Sequence, residues 1–179
     1  MEKDCGSSYS SQTLLRELAQ LSTSLPRLNK KRGCSHRSRC PVSATLEVIG
    51  DRWSLLIVRD LMVRGFRTFH EFQKSGEGIS TNILSNRLRR LKAGGIITAE
   101  AEKGDRRRIN YRLTEKGMDL APALFEFLVW GARHEKIAAS CAVIEQMAQN
   151  RDAILAEVRR RWNERDPRPL QENGQWIWP

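Results

Sequence analysis

Residues 79–98 read "ISTNILSNRLRRLKAGGIIT". The stretch holds no acid, while Arg87, Arg89, Arg90 and Lys92 are basic. Ser80, placed just before a helical run, is a good N-cap, and Gly94-Gly95 stops the helix. Ile79, Ile83, Leu84, Leu88 and Leu91 recur near the helical period and are expected to face a core. The opposite side offers Thr81, Asn82, Ser85, Asn86 and Arg89. Small polar side chains near the helix start allow close approach to base edges, and the unpaired N–H groups there can meet a phosphate. Asn82 and Asn86 lie one turn apart, and each has the donor–acceptor pair that reads adenine bidentately. Arg89 can reach guanine or a phosphate. Arg87, nearer the core side, is expected to clamp the nucleic-acid backbone. The plainer alternative is a solvated basic helix with no partner, since polar outer faces are normal.

The neighbouring segments decide between these readings. In "IITAEAEKGDRRRINYRLT" (96–114) the period changes to two: Ile97, Ala99 and Ala101 alternate, as do Ile109, Tyr111 and Leu113. Lys103-Gly104-Asp105 supplies turn chemistry, so a hairpin is expected with Lys103 at its tip and Arg106, Arg107 and Arg108 beside it. Upstream, 42–49 suits a short helix with Val42, Leu46 and Ile49 inward. Gly50-Asp51 breaks it, with Asp51 capping the next. "DRWSLLIVRDLMVRG" (51–65) is nearly continuously apolar on its helical faces and predicts a central buried helix ended by Gly65. Residues 66–68 suit a short strand. "FHEFQK" (69–74) suits a short helix with Phe69 and Phe72 inward, joined by "SGEG" to the capped stretch. Two short helices followed by a hairpin make a winged helix-turn-helix in a mainly α chain. The second helix then enters the major groove and the hairpin, a two-stranded wing, lies on phosphates.

The rest of the chain flanks this unit. Leu14, Leu15, Leu18, Leu21 and Leu25 recur at helical spacing. Residues 26–39 hold six Arg or Lys and no acid. They form a basic arm in which Lys30, Lys31 and Arg32 can follow a DNA backbone. Thr114 caps a long helix over 114–133, with Leu120, Leu124, Phe127, Leu128 and Trp130 along one side and Pro122 marking a kink or restart. Residues 137–162 carry a last helical pattern, and Pro167 and Pro169 end regular structure. The expected divisions are 1–39 (helix and arm), 40–133 (winged helix and long helix) and 134–179 (helical extension and Trp-containing tail).

Bulk composition agrees. The chain has 179 residues, 40% apolar, with 31 basic against 21 acidic residues and a formal charge of +10. That excess suits a polyanion, either nucleic acid or an anionic membrane. No run is long and apolar enough to span a bilayer, and the start lacks the basic-then-apolar pattern of a secretory signal. Cys5, Cys34, Cys40 and Cys141 are too sparse for a disulfide scaffold. The expected setting is the cytoplasm.

Residues 40–131 closely resemble the HxlR-type family of winged-helix transcriptional regulators. The resemblance is carried by Cys40-Pro41-Val42, "LEVIGDRWSLLIVRDL" (46–61), "RTFHEF" (67–72), "ISTNILSNRLRRL" (79–91), "INYRLTEKGMDLAPAL" (109–124) and Trp130-Gly131. It implies a homodimeric double-stranded-DNA-binding regulator, repression being the commoner behaviour, on a pseudo-palindromic operator. It also implies that the helix before the signature and the long helix after the wing build the dimer, here through Leu14, Leu18, Leu21, Leu124, Phe127 and Leu128. The wing departs from the family pattern: it lacks the usual proline-rich turn, and Asn110 stands where an acid often precedes the tyrosine. Gly50-Asp51 stands where a glycine pair is usual.

In several members the cysteine matching Cys40 senses oxidants or electrophiles. Arg37 and Arg39 lie close by in sequence, and the expected disulfide partner is Cys34 locally or Cys141 across a dimer. Cys34, His36 and Cys40 lack a fourth ligand and a strong zinc spacing, so no metal and no cofactor is expected. No phosphate-binding loop, zincin or nucleophile-elbow motif is present, so an enzyme is not expected. Trp176 and Trp178 are expected either to cap a dimer groove or to close over a small-molecule effector between the wing domain and the long helices. The competing class is a winged-helix protein-interaction module that reads no DNA.

Overall fold

The computed structural model describes residues 39–102, 104–135, 141–166, 168–172 and 175–176. The leucine stripe at 14–25, the arm residues Lys30, Lys31 and Arg32, and Cys34 lie outside them.

The chain order is α1 (Pro41–Ile49), α2 (Arg52–Arg59), a π-helical turn (Asp60–Arg64), α3 (Phe69–Gln73), α4 (Thr81–Ala93), β1 (Ile97–Glu102), β2 (Asp105–Leu113), α5 (Glu115–Met118), α6 (Ala121–His134), α7 (Cys141–Gln149), α8 (Arg151–Glu164), β3 (Gln171–Glu172) and β4 (Gln175–Trp176). It is a mainly α winged helix-turn-helix. The described residues form one compact unit, so α7 and α8 share its core.

The starts of the helices follow the side chains. Asp51 caps α2: the Ser54 N–H donates to its Oδ1 at 3.1 Å and the Ser54 hydroxyl to its Oδ2 at 2.6 Å. Thr68 and Glu71 form a reciprocal capping box on α3. Burial pushes the Glu71 carboxyl up, but the N–H groups of Arg67 and Thr68 and the Thr68 hydroxyl donate to it and hold it below the ordinary value. Thr114 caps α5 through the Gly117 N–H at 3.1 Å, and Pro122 marks a restart into α6 rather than a kink. Gly117 has no room for a side chain, because a Cβ there would stand 2.2 Å from the Ile96 carbonyl oxygen.

The long central helix ends in a wide turn. Gly65, at φ +70, closes it, and its last carbonyls turn to other donors. Leu61 O accepts from Arg67 Nη1 at 2.7 Å, and Val63 O from the Leu170 N–H at 2.7 Å. The apolar pattern of 51–65 shows no sign of this widening.

The core runs from Val58 and Leu61 through Phe72, Leu84, Leu88 and Leu91 to Ile96, Ile97, Leu113 and Met118. Each such buried side chain contributes about 1.5–3 kcal/mol. β1 and β2 are antiparallel with Ile97 opposite Leu113, Ala99 opposite Tyr111 and Ala101 opposite Ile109, the alternation expected. Residues 66–68 do not form a strand; Thr68 makes only an isolated bridge to Asn110.

Several inward assignments need correction. Val42 and Leu46 are exposed, and Ile49 alone of that set is buried, because α1 meets the rest through Ile49 and Val48. Ile83 is 38% exposed, on the edge of the buried stripe. In α6 the buried set is Ala121, Phe125, Val129 and Ala132, while Leu124 and Leu128 are half-buried and Phe127 and Trp130 exposed. The pattern over 137–162 is two helices, broken at Asn150, whose side-chain amide donates to the Gln146 carbonyl. The tail after Pro169 pairs briefly as β3 and β4, with Gln171 opposite Trp176.

Candidate nucleic-acid interface

α4 carries the candidate reading face. Its Ser80 cap is in place, with the Ile83 N–H donating to the hydroxyl at 3.4 Å. Leu84, Leu88 and Leu91 are buried, so the helix is anchored along one stripe. Ser80, Thr81, Asn82, Ser85, Asn86 and Arg89 are all exposed. Asn82, Ser85, Asn86 and Arg89 stand at positions i, i+3, i+4 and i+7, which places them on one face. No acid lies on that face.

The flank of α4 is spent on the fold. Arg87 Nε lies 2.8 Å from Asp51 Oδ1, outside hydrogen-bond angles, so the contact is ionic. Arg90 Nη2 donates to the Glu47 carbonyl at 3.3 Å. A Cβ on Gly94 would come within 3.1 Å of Val48. This flank therefore rests on α1 and the start of α2. Arg87, expected to clamp a backbone, is instead engaged by a protein carboxylate. At the far end Lys116 Nζ donates to the Gly94 carbonyl at 2.8 Å, which suits a helix C-terminus.

The wing departs from a simple two-residue hairpin. Glu102 pairs with Asp105, but Ala101 pairs with Ile109. Arg106, Arg107 and Arg108 therefore fall in a bulge, opposite no residue of β1. The Arg107 N–H donates to Asp105 Oδ1 at 2.9 Å, fixing the turn, and its side chain is exposed. Arg108 Nε lies 3.0 Å from Glu102 Oε2, so its charge is partly met. Lys103 and the side chain of Arg106 lie outside the described residues. At the base of the wing, Trp162 Nε1 donates to the Leu113 carbonyl at 2.9 Å, and the guanidinium groups of Arg112 and Arg159 lie over its ring. Arg112 also donates to the Trp162 carbonyl.

An ion network that sequence spacing did not reveal supports the helix-turn-helix from behind. Arg59 gives Nε and Nη2 to the buried Asp60 at 2.9 and 2.7 Å, and Nη1 to Glu77 at 2.9 Å. Burial pushes the Asp60 carboxyl up, and Arg59 opposes it. Glu77 lies 18 positions beyond Arg59, so no local motif announces the pair.

Cys40 is exposed at the N-cap of α1. Leu124, Phe127 and Leu128 share one cavity wall on α6. His70 and His134 are both exposed, and among the described residues no group of His, Cys, Asp and Glu suits a metal ion. No described helix is long and apolar enough to cross a membrane. The pocket expected beneath Trp176 and Trp178 cannot be assigned to them, since the Trp176 side chain and Trp178 are outside the described residues. The cavity found is walled by α2, α6, α7 and α8, not by the wing.

A capped and anchored helix with a bare polar face, followed by a bulged basic hairpin, defines a winged helix-turn-helix module of the kind found in transcriptional regulators. The model of the HxlR-like helix-turn-helix family matches residues 48–138, about half the chain, and the protein belongs to that family. It is 32% identical over 111 residues to YdeP of Bacillus subtilis (strain 168), an uncharacterised HTH-type transcriptional regulator, covering 60% of this chain and 86% of that one. It is 39% identical over 90 residues to Mb3122 of Mycobacterium bovis, also an uncharacterised HTH-type regulator, covering 50% of this chain and 56% of that one. Among solved structures it is similar to PA1607, a proposed transcription factor, with a TM-score of 0.53 and 44% identity over 58% of this chain and 71% of that one.

Proposed function

We propose that this regulator is a homodimer that binds a pseudo-palindromic duplex site and represses transcription from it. The observation that carries the reading is the acid-free face of Asn82, Ser85, Asn86 and Arg89, exposed on a helix whose other side is locked into the core. Asparagines read base edges, while the arginines of the wing bulge and the arm at Lys30, Lys31 and Arg32 hold phosphates. Leu14, Leu18, Leu21, Leu124, Phe127 and Leu128 join the two copies. Two α4 helices then meet successive major grooves about 34–36 Å apart.

Footprinting of purified protein across the genomic DNA of its source tests this. Paired protected half-sites are expected, with affinity falling steeply as salt rises, because phosphate contacts release counterions. No footprint on any duplex at low salt would leave the protein-interaction reading instead.

Cys40 gives this regulator an oxidant response. Its thiol is exposed at the start of α1, the helix on which the α4 flank rests. Cys40→Ser is expected to keep duplex affinity and to lose the change in affinity that diamide or peroxide causes in the wild type. A variant that still responds would remove Cys40 from this role.

A further inference from the structure

The loop between α3 and α4, residues 74–80, is shaped largely from outside itself. Gly76 and Gly78 adopt φ values of +84 and +74, a region that glycine enters freely along with many others. A Cβ on either would meet nothing within 4 Å, so no packing at these two positions fixes the path. Ile79, buried beside the Ser80 cap, fixes where the loop ends. Before it, the loop is held by guanidinium groups. Arg64 Nη1 donates to the Ser75 carbonyl at 3.0 Å, and Arg59 Nη1 donates to Glu77 Oε1 at 2.9 Å. Arg52 adds a looser ion pair, 3.6 Å from the other Glu77 oxygen, and the Glu77 N–H donates to the Ser75 hydroxyl at 3.4 Å.

Arg59 and Arg64 are organised by one buried group. Asp60 stands on the π turn and is 2% exposed. Its Oδ1 accepts from Arg59 Nε at 2.9 Å and from Arg59 Nη2 at 2.7 Å, and lies 3.4 Å from Arg64 Nη1. The planar Arg59 fork is fixed along one side, which aims its remaining Nη1 at Glu77. Taking a carboxyl group and its partners out of water is costly, and apolar residues of the same volume are often as stable. The cluster is therefore poorly explained by stability. What it supplies is geometry, since one carboxyl group sets the angle of two side chains that hold a distant loop.

We propose that Asp60 is a positioning residue that sets the sequence discrimination of α4 without touching DNA. Through Arg59 and Arg64 it holds Glu77 and Ser75, and these direct the chain into the Ser80 cap. Leu84, Leu88 and Leu91 anchor the body of the helix, so the loop governs its first turn. Thr81 and Asn82 stand there, at the start of the exposed face that runs on to Asn86. A bidentate contact between an amide and a base edge needs both atoms in reach at once, whereas a phosphate contact carries no sequence information. Loosening the loop therefore costs the preferred site and spares non-specific binding, which belongs to the wing and the arm. This consequence rests on the DNA-binding reading above; the placement of the first turn does not.

Asp60→Asn keeps the shape of the side chain and removes its charge. Glu77→Gln does the same on the loop and serves where Asp60→Asn melts early. Amide exchange, followed by NMR on the full chain without DNA, tests the placement. The Ile83 and Leu84 N–H groups donate to the Ser80 hydroxyl and carbonyl. Their exchange is expected to quicken about tenfold more than that of Leu88 and Leu91 in the same helix. Equal quickening of all four, or none, would overturn the inference. Titration of the footprinted site and of a scrambled duplex measures the consequence. Each variant is expected to lose about tenfold on the site and to hold its affinity for the scrambled duplex. A merely structural role would lower the folded fraction and weaken both by one factor. The double variant is expected to lose no more than the larger single change, because both act through Arg59. An unchanged ratio between the two duplexes, or losses that add in full, would overturn the inference. Wild-type protein that binds no duplex at low salt, with exchange of Ile83 and Leu84 quickened in the variants, sinks the DNA reading and leaves the placement standing.

Discussion

Neighbouring arginines on α4 have different work, and one helix position separates the two kinds. Arg89 is exposed beside Asn86, whereas Arg87 is held by Asp51 and Arg90 by the Glu47 carbonyl. Charge alone does not distinguish them; the angle around the helix does. The asparagines and Arg107 are expected to separate in the same way by substitution. Asn86→Ala should change sequence preference, costing about 1–3 kcal/mol on the preferred site and little on others, because a bidentate base contact carries discrimination. Arg107→Ala should weaken all duplexes about equally, since phosphates carry no sequence information. Competition binding over a randomised duplex pool measures both. An Arg107→Ala protein with unchanged non-specific affinity would remove the wing from the interface.

At the scale of elements, the parts written in local chemistry were legible. Ser80, Asp51 and Thr114 cap helices as their side chains suggest, Gly65 ends one, and the two-residue alternation marks β1 and β2, though not the bulge in their register. The parts set by distant contacts were not. The π turn depends on Arg67 and Leu170 taking up its carbonyls, and Leu170 lies more than a hundred residues away. Val42 and Leu46 look inward by period, yet nothing among the described residues covers them. Asn150 did carry a signal, since a side-chain amide that competes for backbone carbonyls disfavours a helix interior. Of the candidate reading face, Asn82, Ser85, Asn86 and Arg89 were readable from spacing, but the engagement of Arg87 needed the fold.

The capping box of α3 has a testable pH dependence. The Glu71 carboxyl is held below the ordinary value of 4.5, so its ionised form stabilises the fold. That contribution is complete above the unfolded value and is lost as pH falls through the lower folded one. Glu71→Gln is expected to cost about 1 kcal/mol at neutral pH. The difference from wild type should narrow through that acidic window. Denaturant melts at several pH values check this; a difference constant with pH would show that the carboxylate charge is irrelevant to the cap.

At the scale of the molecule, α6 divides its surface. Ala121, Phe125, Val129 and Ala132 face the core, while Phe127 and Trp130 stay 59% and 57% exposed. Exposed aromatics this large on one helix suit a contact between chains. Phe127→Glu is expected to turn a dimer into a monomer in sedimentation, with the fold intact by circular dichroism. Its affinity for a two-half-site duplex should fall by a factor of ten or more, toward that for one half-site, because the second contact ceases to be intramolecular. A Phe127→Glu protein that remains dimeric would place the contact elsewhere.

The indole of Trp162 ties the last strand of the wing to the last turn of α8. The base of the wing is therefore held from two sides, by the C-terminal extension through Trp162 and by the Arg67–Thr68 segment of the helix-turn-helix. The Trp162 contact joins α8 to the wing directly, with no residue of α4 in between. The emission of that indole, beneath two guanidinium groups, offers an internal gauge of whether this contact is made.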